Sequence, residues 1–363
     1  MLLQEKAIII KKKILGHRSG IGTLRRYGTV FLTAIVLTSA CGTSCYAAEN
    51  AAEEEGPEPA PGTGGLEGEG MLSPSEGSSG NSVFGGNSVP EEDSNAGMLT
   101  DEKLQTILQN VQAGFPTGNG SWAVYISDLT KNSEGSVNSH AMQAASLIKL
   151  YIMGAIYDNY DNIIVQYGQN SVDSNLRSMI TVSDNDAANT LVSYLGSGDS
   201  SAGMSAVNNF CQIHGYTDTS MGRLLLQSNA NGDNYTSVSD CGRFLRAVYE
   251  GKAAASAEED ASKNAGDVGK STDTSQDFSH ASDMFELLAG QQRRNKIPAQ
   301  MPAGVSVANK TGELSNVEND AGIIYNTSND VVIVFMSEGL GEAGAAQSSI
   351  ASLSRQIYDY YNN

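Results

Sequence analysis

The chain has 363 residues, of which 40% are hydrophobic, and a formal net charge of -19 at pH 7. That length allows one large core or two modest ones. So acidic a surface repels phosphate backbones, which argues against a nucleic-acid partner. The charge is unevenly placed, because residues 1–40 carry seven Lys or Arg and one acid, whereas residues 49–97 carry eleven acids and no Lys or Arg.

The N-terminal residues are typical of an export signal. A basic leader precedes an apolar run from Val30 to Ala40, which is shorter than the roughly 20 residues that span a bilayer. Two outcomes stay open: cleavage after Ala47, or lipid attachment at Cys41, which ends a sequence similar to a bacterial lipobox. We therefore predict a signal peptide or lipoprotein leader over residues 1–47, and an exported protein, extracellular or held at a bacterial cell surface.

The following segment differs in composition from the rest of the chain. Residues 48–98 are rich in Glu, Gly, Ser and Pro, and so few large apolar side chains cannot offset the entropy of ordering the backbone. We predict a disordered acidic linker there and a folded domain over residues 99–363. Within that domain, residues 252–280 again contain almost no large apolar side chains, which predicts a flexible surface insertion.

Hydrophobic periodicity predicts strands at both ends of the domain and helices between them. A first helix follows Thr100, its expected N-cap. The other predicted elements are strands at Trp122–Ile126 and near Val137, helices at Leu147–Tyr157, Ala187–Leu195, Met204–His214, Cys241–Tyr249 and Met284–Leu288, strands at Ser306–Lys310, Ala321–Tyr325 and Val331–Met336, and a last helix through Ile350 and Tyr361. This order predicts an α/β (α+β) fold with a mixed, mainly antiparallel sheet built from both ends of the domain, plus an all-helical lobe.

Cysteine and histidine usage bears on metal and redox chemistry. Cys211 and Cys241 are the two cysteines of the predicted domain, and outside the cell they either pair or remain as buried thiols. The four histidines are scattered and form no ligand pattern, so we expect no metal site and no cofactor.

Three short motifs occur in order along the domain: Ser146-Leu-Ile-Lys149, Ser183-Asp184-Asn185 and Lys310-Thr311-Gly312. Ser146 opens the most apolar predicted helix, the second motif precedes another helix, and the third lies on a strand. Ser146 and Lys149 are three positions apart and share one face of a helix. A serine hydroxyl needs a neighbouring base, and a lysine in an apolar helix near a second cation is shifted toward the neutral amine.

With these motifs, and with Asn309–Glu313, Asn319–Tyr325 and Val331–Met336 in series, the chain resembles the class A β-lactamases and their penicillin-binding relatives from about Leu99 to Tyr361. The resemblance implies a β-lactamase/DD-peptidase-like fold and a serine hydrolase that forms an acyl-enzyme. Ser146, Lys149, Ser183 and Lys310 are then the expected catalytic residues, with Ser183 passing a proton to the leaving nitrogen.

The same resemblance implies a substrate-binding set. Asn185 is expected to hold the substrate amide, and Lys310 and Thr311 its carboxylate. Gly312 belongs to the same strand motif, and the backbone N–H groups of Ser146 and Glu313 are expected to form the oxyanion hole. The implied substrate is a small carboxylated acyl-amide, either a β-lactam or a peptidoglycan stem peptide, acted on by a monomer.

One departure from the family concerns deacylation. Class A enzymes activate the deacylating water with a Glu on a loop after the second motif, but residues 223–235 contain no Glu, and Asp233 is their one carboxylate. We expect acylation at Ser146 with doubtful hydrolysis of the acyl-enzyme, and Gln227 is one candidate for the missing position. The alternatives are a DD-peptidase-like enzyme acting on stem peptides, or a wall-associated sensor that is acylated without turnover.

Overall fold

The computed structural model describes residues 101–264 and 279–363. Its helices are α1 (Glu102–Ala113), α2 (Ile148–Asp158), α3 (Tyr160–Tyr167), α4 (Gln169–Thr181), α5 (Asn185–Leu195), α6 (Ser200–Ile213), α7 (Val238–Asn264), α8 (Ala281–Ala289) and α9 (Ala343–Asn362), with 3-10 turns at Ala145–Leu147 and Ile297–Gln300. Its strands are β1 (Ser121–Asp128), β2 (Ser133–Val137), β3 (Met142–Gln143), β4 (Tyr235–Thr236), β5 (Ser306–Leu314), β6 (Val317–Tyr325) and β7 (Val331–Glu338).

One antiparallel sheet joins the two ends of the described chain. Its strand order is β2-β1-β7-β6-β5, and β1 pairs with β7 along its whole length, from Ser121 opposite Glu338 to Asp128 opposite Val331. The strand β5 lies at one edge. The predicted fold class, with a sheet built from both ends of the domain and a helical lobe, is therefore confirmed.

The two faces of this sheet are covered by different helices. In β1 and β7, successive side chains alternate between two cores, so that Val332 and Val334 belong to the core shared with α2 and the helical lobe. Ile333 and Phe335 instead belong to the core shared with α1 and α9. Because both faces are buried, these strands read as continuous apolar runs rather than as an alternation of apolar and polar residues.

Two expectations about helix ends were wrong. The N-cap of α1 is Asp101, whose carboxylate accepts hydrogen bonds from the backbone N–H groups of Lys103 and Leu104, and Thr100 lies outside the described residues. The helix predicted over Cys241–Tyr249 continues as α7 to Asn264, so residues 252–264 of the predicted insertion are helical. Ala253–Ala257 are exposed, and an exposed helix needs no large apolar side chains. The remaining part of that prediction, residues 265–278, lies outside the described residues.

Further findings bear on the cysteines and on membranes. Cys211 and Cys241 are both free and buried, and burial raises the pKa of each thiol to about 12, which resolves the alternatives in favour of unreactive buried thiols. Among the described helices, none is both long and apolar enough to cross a bilayer. The predicted leader, with Cys41, and the whole of the predicted linker lie outside the described residues.

Candidate active site

The three motifs meet around one hydroxyl and two amines. Lys149 Nζ lies 3.1 Å from Ser146 Oγ, 3.1 Å from Ser183 Oγ and 2.7 Å from Asn185 Oδ1. Lys310 Nζ lies 2.9 Å from Ser183 Oγ on the other side. Ser183 therefore bridges two lysines that are 161 positions apart in the chain, and the four residues expected to be catalytic form one connected network.

Local backbone geometry presents the two serines. Ser146 lies on the 3-10 turn at the start of α2, and the residue before it, Ala145, has φ +46°, while Ser183 itself has φ +63°. A residue with a side chain rarely adopts this left-handed region, and such strain persists where the surroundings hold it and is concentrated at functional sites. Asp184 caps α5 through its carboxylate, which accepts from the backbone N–H of Ala187 at 2.8 Å, and so holds Asn185 at the first turn.

Both lysines are buried, and burial disfavours a charged amine. Burial, reinforced by the positive charge of Arg293 and opposed by the negative charge of Asp184, lowers the pKa of Lys149 to about 7. Complete burial also holds the pKa of Lys310 well below its ordinary value, reinforced by the charges of Lys149 and Arg293. The site can therefore hold a neutral amine next to a serine hydroxyl near neutral pH.

The strand β5 supplies the third side of the site. Thr311 and Gly312 are buried on it, with Lys310 Nζ also donating to the Thr311 carbonyl at 2.7 Å. A Cβ atom at Gly312 would lie 2.9 Å from the Ala144 carbonyl oxygen, so the absence of a side chain lets the edge of β5 approach the turn that carries Ser146. Glu313 follows at the rim, half-buried, with its side chain ion-paired to Arg293 at 2.7 Å.

Several residues that the motifs did not indicate also shape the site. Asn319 on β6 donates to the carbonyls of Gln143 and Ala144 and accepts from the Ser337 backbone N–H, which ties the approach to Ser146 to the centre of the sheet. Arg293 brings a cation to both lysines. Neither residue has a local sequence signal, because each acts through partners that are distant in the chain.

Side-chain contacts hold the loop after the second motif. Arg223 Nε is ion-paired to Asp233 Oδ1 at 2.7 Å, so the one carboxylate of residues 223–235 is already engaged. The Asn189 side chain donates to the Leu225 carbonyl at 3.0 Å and accepts from the Leu225 N–H at 2.9 Å, which brings residue 225 against α5. Gln227 is exposed.

Comparison with known proteins identifies the family and the fold. The model of the "Beta-lactamase enzyme family" matches residues 164–264 and 275–361, more than half of the chain. The chain belongs to the beta-lactamase enzyme family. The matched residues include Ser183, Asn185 and the motif on β5, whereas Ser146 and Lys149 precede them. Family and fold together indicate a hydrolase.

Solved structures show the same fold as this β-lactamase family member. A β-lactamase from Sphaerobacter thermophilus is 20% identical, with a TM-score of 0.55 over 70% of this chain and 97% of that one. TLA-1 extended-spectrum β-lactamase is 16% identical, with a TM-score of 0.56 over 71% and 99%. A variant of PBP-A, solved as an acyl-enzyme complex with penicillin-G, is 21% identical, with a TM-score of 0.54 over 71% and 95%. No curated protein matches the chain.

Proposed function

We propose that this protein is an active-site-serine hydrolase that is acylated at Ser146 by β-lactams or related carboxylated acyl-amides. The observation that carries the proposal is the distance of 3.1 Å between Ser146 Oγ and Lys149 Nζ, inside a network that also holds Ser183, Asn185 and Lys310. A nucleophile next to a base, with the base oriented by further groups, is the arrangement that nucleophilic catalysis requires.

The first proposed step is attack on the acyl carbon. Neutral Lys149 takes the proton of the Ser146 hydroxyl, Oγ bonds to the carbonyl carbon, and negative charge develops on the carbonyl oxygen. The backbone N–H groups of Ser146 and Glu313 would receive that oxygen, and losing a single such donor costs on the order of 3 kcal/mol of barrier. The pKa of about 7 for Lys149 supports the role of base near neutral pH.

The second proposed step is departure of the nitrogen. When the carbon–nitrogen bond breaks, the nitrogen needs a proton, and Ser183 Oγ lies within hydrogen-bond distance of both Lys149 and Lys310. Ser183 passes its proton to the nitrogen and is reprotonated from the adjacent amine. Lys310 and Thr311 would bind the substrate carboxylate, and Asn185 the substrate amide. No step requires a metal or a cofactor.

One observation favours slow hydrolysis of the acyl-enzyme. Of residues 223–235, the only carboxylate belongs to Asp233, which pairs with Arg223 and also accepts from the Asn234 N–H and from Gln143 Nε2. It is therefore committed to holding the loop. This favours a penicillin-binding peptidase that acts on cell-wall stem peptides, or a sensor, as the second candidate function.

The deciding experiment is intact-protein mass spectrometry with a penicillin, followed over time beside Ser146→Ala. An adduct that forms and then clears on the wild type, and never forms on the variant, would establish a β-lactam hydrolase. An adduct that persists would indicate the peptidase or sensor. No adduct on the wild type would refute acylation by β-lactams.

We also propose that the protein acts as a monomer outside the cytoplasm, on a small-molecule substrate, attached to a membrane if Cys41 is lipidated. The basic leader and the apolar run before Cys41 support export. Labelling of cells with a palmitate analogue, compared with a Cys41→Ala variant, would separate a lipid anchor from a cleaved signal peptide.

A further inference from the structure

Lys296 is a buried cation that none of the motifs indicated. It lies just before the 3-10 turn at Ile297–Gln300, and its side chain has 0% exposure. Its ammonium lies 2.6 Å from Glu318 Oε2 and 3.0 Å from Glu313 Oε1. It also donates to the carbonyl oxygens of Asn319, at 3.1 Å, and Gly312, at 3.4 Å.

These four partners belong to the hairpin formed by β5 and β6. Gly312 pairs with Asn319, and Glu313 with Glu318, in the register of that hairpin. The ammonium therefore contacts two consecutive residues on each strand at the end where the strands turn. A buried charge persists only when it is paired and hydrogen-bonded, and here the two carboxylates and two carbonyls surround it.

The position of this ammonium matters because of the peptide unit that joins Gly312 to Glu313. A peptide is planar and trans, so its C=O and N–H groups point in opposite directions. The Gly312 carbonyl is directed to Lys296 Nζ, and the Glu313 N–H is therefore directed away from it. The Gly312 position abuts Ala144 and Ala145 of the turn that carries Ser146, so this peptide lies beside the nucleophile, where the proposed function assigns its N–H to the oxyanion hole.

The Glu313 side chain is anchored by the same ammonium. Burial alone would raise the pKa of Glu313, but the positive charge and hydrogen bond of Lys296, with Arg293, lower it below the ordinary value. A carboxylate ionised in this way fixes the residue whose N–H is the proposed oxyanion donor. A cation at the carbonyl end of an amide also polarises the N–H at the other end and makes it a stronger donor.

We propose that Lys296 is a positioning residue for acyl transfer, holding and polarising the Gly312–Glu313 peptide so that its N–H meets the developing oxyanion. The inference rests on the proposed acylation of Ser146. Lys296 touches no reacting atom and acts through the backbone of β5.

The test uses the full chain with Lys296→Met combined with Glu318→Gln, because Lys296→Met alone leaves buried carboxylates uncompensated, which destabilises the fold. Glu318→Gln alone, which keeps the ammonium, is the matched control, and Lys131→Met controls for loss of an exposed lysine. Two quantities are measured with a penicillin: the rate of adduct formation by mass spectrometry, and the infrared stretching frequency of the acyl-ester carbonyl, which falls when the oxygen accepts stronger hydrogen bonds.

The double variant is expected to form the adduct roughly 10- to 100-fold more slowly than the wild type, a somewhat smaller effect than the removal of a whole oxyanion donor has. Its acyl-ester carbonyl frequency is expected to be higher than in both controls. The dissociation constant of the non-covalent complex is expected to stay unchanged. A folded double variant with an unshifted carbonyl band would overturn the inference, whatever its rate. A wild type that forms no adduct refutes the proposed function instead, so the two failures are distinguishable.

Discussion

Two lysines share one serine at the centre of this site. Lys149 and Lys310 both contact Ser183 Oγ, and each positive charge lowers the tendency of the other amine to be protonated. The arrangement is held in place by Asn185, which accepts from Lys149. Protonation of a single residue, Lys149, therefore sets whether the Ser146 hydroxyl faces a base or a cation.

The rate of Ser146 acylation is expected to depend on this protonation. Since the pKa of Lys149 is lowered to about 7, the neutral amine is the minor form below that pH and the major form above it. The acylation rate should rise about tenfold per pH unit up to pH 7 and then level off. Stopped-flow acylation by a chromogenic cephalosporin from pH 5 to 9 measures it, and a flat profile over that range would contradict Lys149 as base.

At the residue scale, the motif residues were predictable and their supports were not. Ser146, Lys149, Ser183 and Lys310 carry chemistry that short spacings reveal. Asn319 and Lys296 act through carbonyls and carboxylates that only strand pairing brings to them, and a lone Asn or Lys has no pattern that indicates such a role.

The strand β5 is the element whose placement decides the shape of the site. It is an edge strand, and its residue Gly312 lies against the turn that carries Ser146 at a separation that leaves no room for a side chain. The proposed donor, Glu313 N–H, and the nucleophile are thus brought together by one backbone contact between two elements.

Gly312→Ala is expected to push β5 and this turn apart, because the new Cβ would lie 2.9 Å from the Ala144 carbonyl oxygen. A displacement of about 1 Å in a reacting group costs on the order of 10²-fold in rate. The measurement is the acylation rate at constant pH. Gly344→Ala is the control, since nothing lies within 4 Å of a Cβ atom there, and equal rates in the two variants would show that the contact does not matter.

The loop over residues 223–235 leads to a second prediction at this scale. Asn189 lies on α5, the helix that begins with Asn185, and its side chain binds both the N–H and the C=O of Leu225. Gln227, in contrast, is exposed. We therefore predict that a carboxylate at 225, held against α5, activates a water near the acyl-ester better than a carboxylate at 227.

Leu225→Glu is expected to increase the rate at which a penicillin adduct clears, by about tenfold or more if the carboxylate acts as a general base, and Gln227→Glu is expected to clear it more slowly than Leu225→Glu. Time-resolved mass spectrometry of pre-formed adducts compares the two. Faster clearance in Gln227→Glu would restore Gln227 as the residue at the missing position.

The elements themselves were predictable to different degrees. Strongly apolar segments such as Val331–Met336 were placed correctly, and β7 extends that prediction by two residues. The end of α7 was not placed correctly. The absence of large apolar residues after Tyr249 excludes burial of that segment, but it does not exclude a helical backbone.

At the scale of the whole molecule, the described residues form two cores that share one sheet. The core on one side of the sheet contains residues that lie between Leu104 and Tyr361 in the chain. The core on the other side contains residues that lie between Ala123 and Met336. Since β1 pairs with β7, the first and last parts of the domain stabilise each other directly. Among the described residues, which begin at Asp101, neither core takes one from before Leu104.

A chain of residues 99–363 is therefore expected to fold alone, with a thermal midpoint within a few degrees of that of the full-length protein and an acylation rate within about twofold. Differential scanning calorimetry and the mass assay test this. A large loss of stability in the shorter chain would mean that residues before 99 contribute to the fold.

The sequence by itself determined the fold class and the family, because apolar periodicity records which faces are buried and because three spaced motifs record the chemistry. The tertiary structure alone decided which residues orient that chemistry. Strand register brought together the partners of Lys296 around the Gly312–Glu313 peptide. The Asn189 side chain holds Leu225, rather than Gln227, against α5, and packing left Cys211 and Cys241 as free thiols. Each depends on distances between residues far apart in the chain, which only the folded backbone sets.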